Sequence, residues 1–207
     1  MGNPKIETVI FDLGGVLVDW NPEYLYSKIF KDDPNKMKWF LNTVCSPSWN
    51  MEQDAGRSFD EGSEILIQEY PEYKKEILVF YERWEEMLKS EIEDTVLILN
   101  LLKELNKVKL YALTNWSSET FPIAQQRFGF LKQFEGIVVS GEENTRKPYS
   151  KIYKITLERY QLAPETCLFI DDSIDNVNAA KSLNINALHY TNAMQLRTDL
   201  HQLGLLT

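Results

Sequence analysis

From Asp94 onward, short apolar runs alternate with stretches of helical periodicity, and this alternation limits the fold more than any other feature. Residues 109–114, 134–139, 166–170 and 186–190 read as strands. Ile98, Leu101, Leu102 and Leu105 mark one helix face, and residues 117–128, 150–161, 175–183 and 192–203 read as further helices. Val9-Ile10-Phe11 is an earlier strand-like run ending at Asp12. Strands alternating with helices predict a parallel sheet covered on both faces, a doubly wound (Rossmann-like) α/β fold.

The stretch between the first strand and Asp94 has a different character. Pro22 opens a helix, Ser58 and Glu61 form a capping-box pattern, and Pro71 starts a helical run through Leu88. Residues 20–88 hold 13 of the 25 aromatics in a third of the chain, which predicts a small core of their own. No strand is expected there. The predicted organisation is a core of residues 1–19 and 90–207, with residues 20–89 inserted as an all-helical cap.

Composition removes several function classes. The charge is 22 − 31 = −9 with no Lys/Arg cluster, which opposes nucleic acid and anionic membranes as partners. Cys45, Cys167, His189 and His201 are too few and too scattered for a disulfide framework or a structural zinc site. Buried thiols in a reducing cytoplasm are the expectation. The opening residues lack the pattern of a secretory leader, Gly2 lacks the Ser or Thr at position 6 that myristoylation favours, and no 18-residue apolar run is present.

Ligands of open parallel sheets bind beyond the carboxyl ends of the strands. Asp12, Thr114-Asn115 and Asp171-Asp172 stand at such ends, and Lys147-Pro148 follows another strand. Clustered carboxylates repel one another, and a hard divalent cation such as Mg²⁺ relieves that repulsion. A hydroxyl, backbone N–H groups and the start of the following helix suit an anion, and a lysine supplies a point charge for a phosphoryl group.

The four segments, in this order and spacing, resemble the haloacid dehalogenase (HAD) superfamily: 11–16 (Phe-Asp-Leu-Gly-Gly-Val), Leu113-Thr114-Asn115, Lys147-Pro148, and 169–176 (Phe-Ile-Asp-Asp-Ser-Ile-Asp-Asn). The resemblance implies that Asp12 is nucleophile and Mg²⁺ ligand, with the Gly14 carbonyl and Asp172 as further ligands and Asp171 ligating more weakly or through water. It implies that Thr114 and the Asn115 backbone hold phosphoryl oxygens, that Lys147 neutralises them, and that Asp175 and Asn176 support the metal site. The implied activity is hydrolysis of a small phosphorylated metabolite through an aspartyl-phosphate, by a monomer or homodimer. From its reference pKa of about 3.9, Asp12 is expected to be ionised at pH 7.

One position departs from the family pattern. HAD phosphatases usually carry an Asp two residues after the nucleophile as general acid and base, and Gly14 stands there. A sugar-1-phosphate phosphatase branch shares this Gly and an Asp at the place of Asp19, which raises sugar-1-phosphates as substrates. A 2-haloacid dehalogenase and an inactive binding module are the alternatives; the Asp171-Asp172 pair opposes the former. Trp20, Trp49 and Trp116 are candidates for lining the substrate pocket.

Overall fold

The computed structural model describes residues 5–206. Residues 1–4, on which part of the reading of the N-terminus rests, lie outside them.

Strand β1 (Thr8–Phe11) leads through a tight turn into β2 (Val18–Trp20). Five helices follow: α1 (Glu23–Ile29), α2 (Pro34–Thr43), α3 (Pro47–Asp54), α4 (Phe59–Glu69) and α5 (Lys74–Glu82). The side chains of Asp33, Ser46 and Ser58 accept from the backbone of the first turns of α2, α3 and α4, and Pro34 and Pro47 occupy first helical positions. Each cap satisfies an otherwise orphaned N–H and fixes where a new helix starts. The chain then enters β3 (Leu88–Glu91), α6 (Glu93–Leu105), β4 (Lys109–Thr114), α7 (Phe121–Arg127), β5 (Gly136–Val139) and α8 (Ser140–Glu143). It finishes with α9 (Ser150–Arg159), β6 (Cys167–Asp171), α10 (Ile174–Ser182), β7 (Asn186–His189) and α11 (Ala193–Gln202).

Five strands form a parallel sheet in the order β5-β4-β1-β6-β7. The chain leaves central β1, runs outward through β4 and β5, and returns to the other side of β1 for β6 and β7. This reversal opens a crevice at the carboxyl end of β1. Alternation sorts the side chains: Val9, Phe11, Leu110, Ala112, Leu168 and Ile170 face one apolar cluster, while Ile10, Tyr111, Leu113, Cys167 and Phe169 face the other. Both cysteines are buried and free. No helix among the described residues is long and apolar enough to cross a membrane.

Three expectations are corrected. The helical run from Pro71 ends early: Trp84–Met87 is a 3₁₀ turn, and Leu88–Glu91 pairs antiparallel with β2. The two short strands form a stem where the helical segment leaves and rejoins the sheet domain. Second, the helical aromatics Tyr26, Phe40, Trp49 and Phe80 do not form a separate core. Val16, Leu17, Met87 and Leu88 connect them to the sheet in one apolar cluster. Third, the helix expected from residue 117 starts only at Phe121, because Ser118–Thr120 form a turn.

Candidate active site

Asp12 follows the last residue of β1, Thr114 ends β4 and Asp171 ends β6, so three neighbouring strands deliver their terminal polar side chains to one crevice. Carboxylate oxygens of Asp12, Asp171 and Asp172 lie within 4.8 Å of one another. Lys147 Nζ reaches between them, 2.8 Å from Asp12 Oδ1 and 2.7 Å from Asp171 Oδ2, with its side chain fully buried. Three carboxylates against one ammonium leave an excess negative charge with oxygen donors only. That donor set fits a hard divalent cation.

The two adjacent aspartates have different surroundings. Asp171 is fully buried, and both of its oxygens are engaged by Lys147 Nζ, the Ser173 N–H and the Asn176 amide. Asp172 is exposed to the cavity side and packs against Gly15, whose φ of +73° lets the backbone approach. Asp171 is therefore committed to holding Lys147 in place, and Asp172 keeps its lone pairs for a ligand. Asn176 touches the cluster through Asp171, whereas exposed Asp175 makes no hydrogen bond to it.

Burial pushes the Asp12 carboxyl up to about 8 against the opposing pull of Lys147, with Asp171 and Asp172 adding to the rise. Burial and the two neighbouring aspartates thus work against the ionised form expected from the reference pKa, and Lys147 works for it. Burial also works against the Lys147 ammonium, but Asp12 and Asp171 outweigh it and hold its pKa above the usual lysine value. The ammonium keeps its proton, and the carboxylates carry the electrostatic penalty.

The Thr114 hydroxyl, at the end of β4 next to β1, is buried and has no hydrogen-bond partner among the described residues. An orphaned buried hydroxyl costs about 1–3 kcal/mol, so an anion that accepts from it is favoured. Asn115 does something its sequence position did not suggest. Its side chain donates to the Lys147 carbonyl at 3.0 Å and accepts from the Lys147 N–H at 2.8 Å, clamping the lysine loop to the end of β4. The Lys147-Pro148 peptide is cis. The Trp116 N–H is taken by Ser140 Oγ at 2.9 Å, so it is not free for an anion. Because α7 starts six residues after Asn115, its N-terminus does not adjoin Thr114 as expected.

A cavity of about 420 Å³ lies over the cluster. Asp12, Gly14, Gly15, Asn115 and Asp172 form its floor, and Trp20, Pro22, Leu41, Pro47, Met51 and Phe80 supply apolar walls. A narrower cavity adjoins it, lined by Phe59, Tyr81, Trp84 and Trp116. Gly14, Trp20, Asn50, Asp54 and Asn115 line both. Of the three tryptophans singled out from sequence, Trp20 and Trp116 reach a cavity. Trp49 instead donates from its indole N–H to the Gly62 carbonyl inside the helical segment. Among the described residues, no lysine or arginine lines either cavity. Asp19 lines neither and accepts from the Tyr24 hydroxyl at 2.8 Å.

Residues 6–184 match the family described as haloacid dehalogenase-like hydrolase. The chain is 26% identical to a sesquiterpene phosphatase of Aspergillus oryzae over 95% of this chain and 96% of that protein. It is 26% identical to a phosphorylated carbohydrates phosphatase of Thermotoga maritima over 89% of this chain and 84% of that one. A HAD family enzyme of Bacteroides thetaiotaomicron, solved with magnesium and inorganic phosphate, superimposes with a TM-score of 0.67 at 23% identity. That match covers 90% of this chain and 94% of that chain.

Proposed function

This chain belongs to the haloacid dehalogenase-like hydrolases, and on that premise we propose that it is a Mg²⁺-dependent phosphatase of an organic phosphate monoester, working through an aspartyl-phosphate on Asp12. The observation that carries the reading is the buried Lys147 ammonium between Asp12 and Asp171, with the unpartnered Thr114 hydroxyl at the end of the neighbouring strand. A phosphoryl group at that point would accept from both Thr114 and Lys147. In this reading residues 20–89 are a cap over a core of residues 1–19 and 90–207.

Asp12, Asp172 and the Gly14 carbonyl would hold the cation. Its charge would favour the ionised form of Asp12 and offset the negative charge of the phosphoryl oxygens. The remaining steps belong to the chain. Asp12 attacks phosphorus in line, and the bond to the ester oxygen breaks with its electron pair leaving on the alcohol. Lys147 and Thr114 hold the equatorial oxygens through the displacement. Water then attacks the aspartyl-phosphate, releasing inorganic phosphate and restoring Asp12. Asp171, locked by Asn176 and the Ser173 N–H, keeps Lys147 aimed throughout.

The walls favour an apolar organic group. A hydroxyl-covered sugar needs several polar partners, and beyond the floor the larger cavity offers chiefly Ser46, Asn50 and Asp54. A second anionic group needs a cation, which neither lining contains. Among the substrates named for the relatives, a terpenoid phosphate fits this wall better than a phosphorylated carbohydrate, including the sugar-1-phosphates raised from sequence.

The test is phosphate release from p-nitrophenyl phosphate and from long-chain alkyl and sugar phosphates, with and without EDTA. Release that needs Mg²⁺ and is fastest for apolar esters is expected. Halide release from a 2-haloacid that survives chelation would overturn the reading in favour of a dehalogenase.

A further inference from the structure

Gly14 leaves the expected site of the proton donor without a side chain. A Cβ built there would meet nothing within 4 Å, so no neighbouring group fills that space. A donor for the leaving oxygen must come from elsewhere on the cavity wall. We propose that Asp54, brought in by the helical cap, is the general acid that protonates the leaving alcohol and then the base that activates water. This rests on the phosphatase reading above.

Asp54 is the last residue of α3. It shares both cavity linings with Gly14, and the larger one also contains Asp12. Its own backbone is fixed to the core, because Ser140 Oγ donates to the Asp54 carbonyl while also accepting from the Trp116 N–H. Its carboxyl accepts from the Asn50 amide at 3.3 Å, and the nearby Ser117 N–H favours its ionised form. Asn50 in turn accepts from the Tyr81 hydroxyl, and Tyr81 accepts from Gln53 at 2.8 Å. A carboxyl from the helical segment is thus held on the cavity wall by Asn50 of α3, with its backbone fixed to the core by Ser140.

The surroundings suit a proton carrier. The charged and titratable neighbours are Arg146, Lys147 and Tyr81, with Glu52 paired to Arg146. Burial nonetheless dominates and pushes the Asp54 carboxyl up to about 7, against the pull of Arg146, the Ser117 N–H and Lys147. The C-terminal end of α3 disfavours a carboxylate there as well. A general acid is most effective with a pKa near the working pH. Asp19 lies outside both cavities and is bound to Tyr24.

The proton balance closes. When Asp12 displaces the alcohol, the electron pair on the leaving oxygen takes the Asp54 proton, leaving alcohol and an Asp54 carboxylate. That carboxylate accepts a proton from water as the water oxygen bonds to phosphorus and the Asp12–phosphorus bond breaks. Inorganic phosphate leaves, and Asp54 is again protonated.

The experiment compares hexyl phosphate, whose alkoxide needs a proton, with p-nitrophenyl phosphate, whose leaving group needs little help. In Asp54→Asn, kcat/KM for hexyl phosphate is expected to fall by about 10²–10⁴-fold, with a loss at least roughly tenfold smaller for p-nitrophenyl phosphate. Equal losses would make Asp54 a positioning residue, and no loss would remove it altogether; either overturns the proposal. A second measurement needs only the wild type. The basic limb of its pH profile, falling through about pH 7, should be present for hexyl phosphate and weak for p-nitrophenyl phosphate. Identical limbs for both substrates would also overturn it. A wild type that turns over neither ester fails the phosphatase reading itself, a separate result.

Discussion

The Asp172 carboxylate occupies the space that a side chain on Gly15 would need. A Cβ at Gly15 would overlap Asp172 Oδ2, and the Gly15 φ of +73° is one that alanine adopts only under strain. The turn after β1 and the turn after β6 are therefore fitted to each other, with glycine as the condition for the fit. Gly15→Ala is expected to cost about 1–2 kcal/mol from the backbone alone and to push Asp172 off its position. The Mg²⁺ concentration for half-maximal activity should rise roughly 10–100-fold. An unchanged Mg²⁺ requirement would show that Asp172 does not hold the cation.

Asp12→Asn keeps the shape and removes the proposed nucleophile. Turnover should fall to background, and no phosphoenzyme should be trapped by acid quench. Stability should not suffer, because burial already disfavours the ionised Asp12 in the metal-free protein and Lys147 retains Asp171. Thermal melting without metal checks this, with an equal or higher Tm expected. Retained turnover in the purified variant would remove the covalent mechanism.

Much of this arrangement was legible because it depends on strand ends. Asp12, Thr114 and Asp171 follow short apolar runs, and a parallel sheet has to bring such positions to one edge. Other features depend on docking between distant segments, and local pattern does not encode that. Leu88–Glu91 continues a helical spacing from Trp84 and becomes a strand only because Val18–Trp20 lies beside it. Asp54 reads as one more polar residue of a helix until Ser140 fixes where that helix ends. The Asn115 clamp spans 32 residues to reach Lys147, and nothing near Asn115 announces it.

That clamp yields a graded prediction. Asn115→Ala leaves both the Lys147 N–H and carbonyl without this partner, at about 1–3 kcal/mol for each group that stays unsatisfied. The ammonium between Asp12 and Asp171 loses its fixed backbone, so kcat should drop by about 10²-fold, as for a displacement of roughly 1 Å in a catalytic group. Asn115→Asp keeps the acceptor for the N–H and should fall between alanine and wild type. Equal activity in all three would show that Lys147 is positioned by Asp12 and Asp171 alone.

Asp54 makes a stability prediction that is independent of turnover. Its pKa is raised from an ordinary carboxylate value to about 7, mainly by burial. Between those two values the folded state binds more protons than the unfolded state, so this group's contribution falls as pH rises from about 4 to about 7. Asp54→Asn has no such proton. Denaturant unfolding of the metal-free protein at pH 5 and pH 7.5 should show the wild type losing stability relative to Asp54→Asn over that window. Parallel behaviour of the two proteins would mean that Asp54 titrates at an ordinary carboxylate value.

Trp20 closes one wall of both cavities, and its indole N–H is buried without a partner. It ends the stem strand β2, so the segment that positions Asp12 also positions this wall. If the organic part of the substrate packs there, Trp20→Ala removes apolar contact worth about 1–3 kcal/mol at the usual coefficient for buried area. That corresponds to roughly a tenfold to hundredfold loss in kcat/KM for a long-chain alkyl phosphate. Ethyl phosphate is too short to cover the indole face and should lose much less. The ratio of the two specificity constants, measured in wild type and variant under the same Mg²⁺ concentration, isolates the wall from the chemistry. A ratio that Trp20→Ala leaves unchanged would place the organic group elsewhere, against the Phe59, Tyr81 and Trp116 side of the narrower cavity.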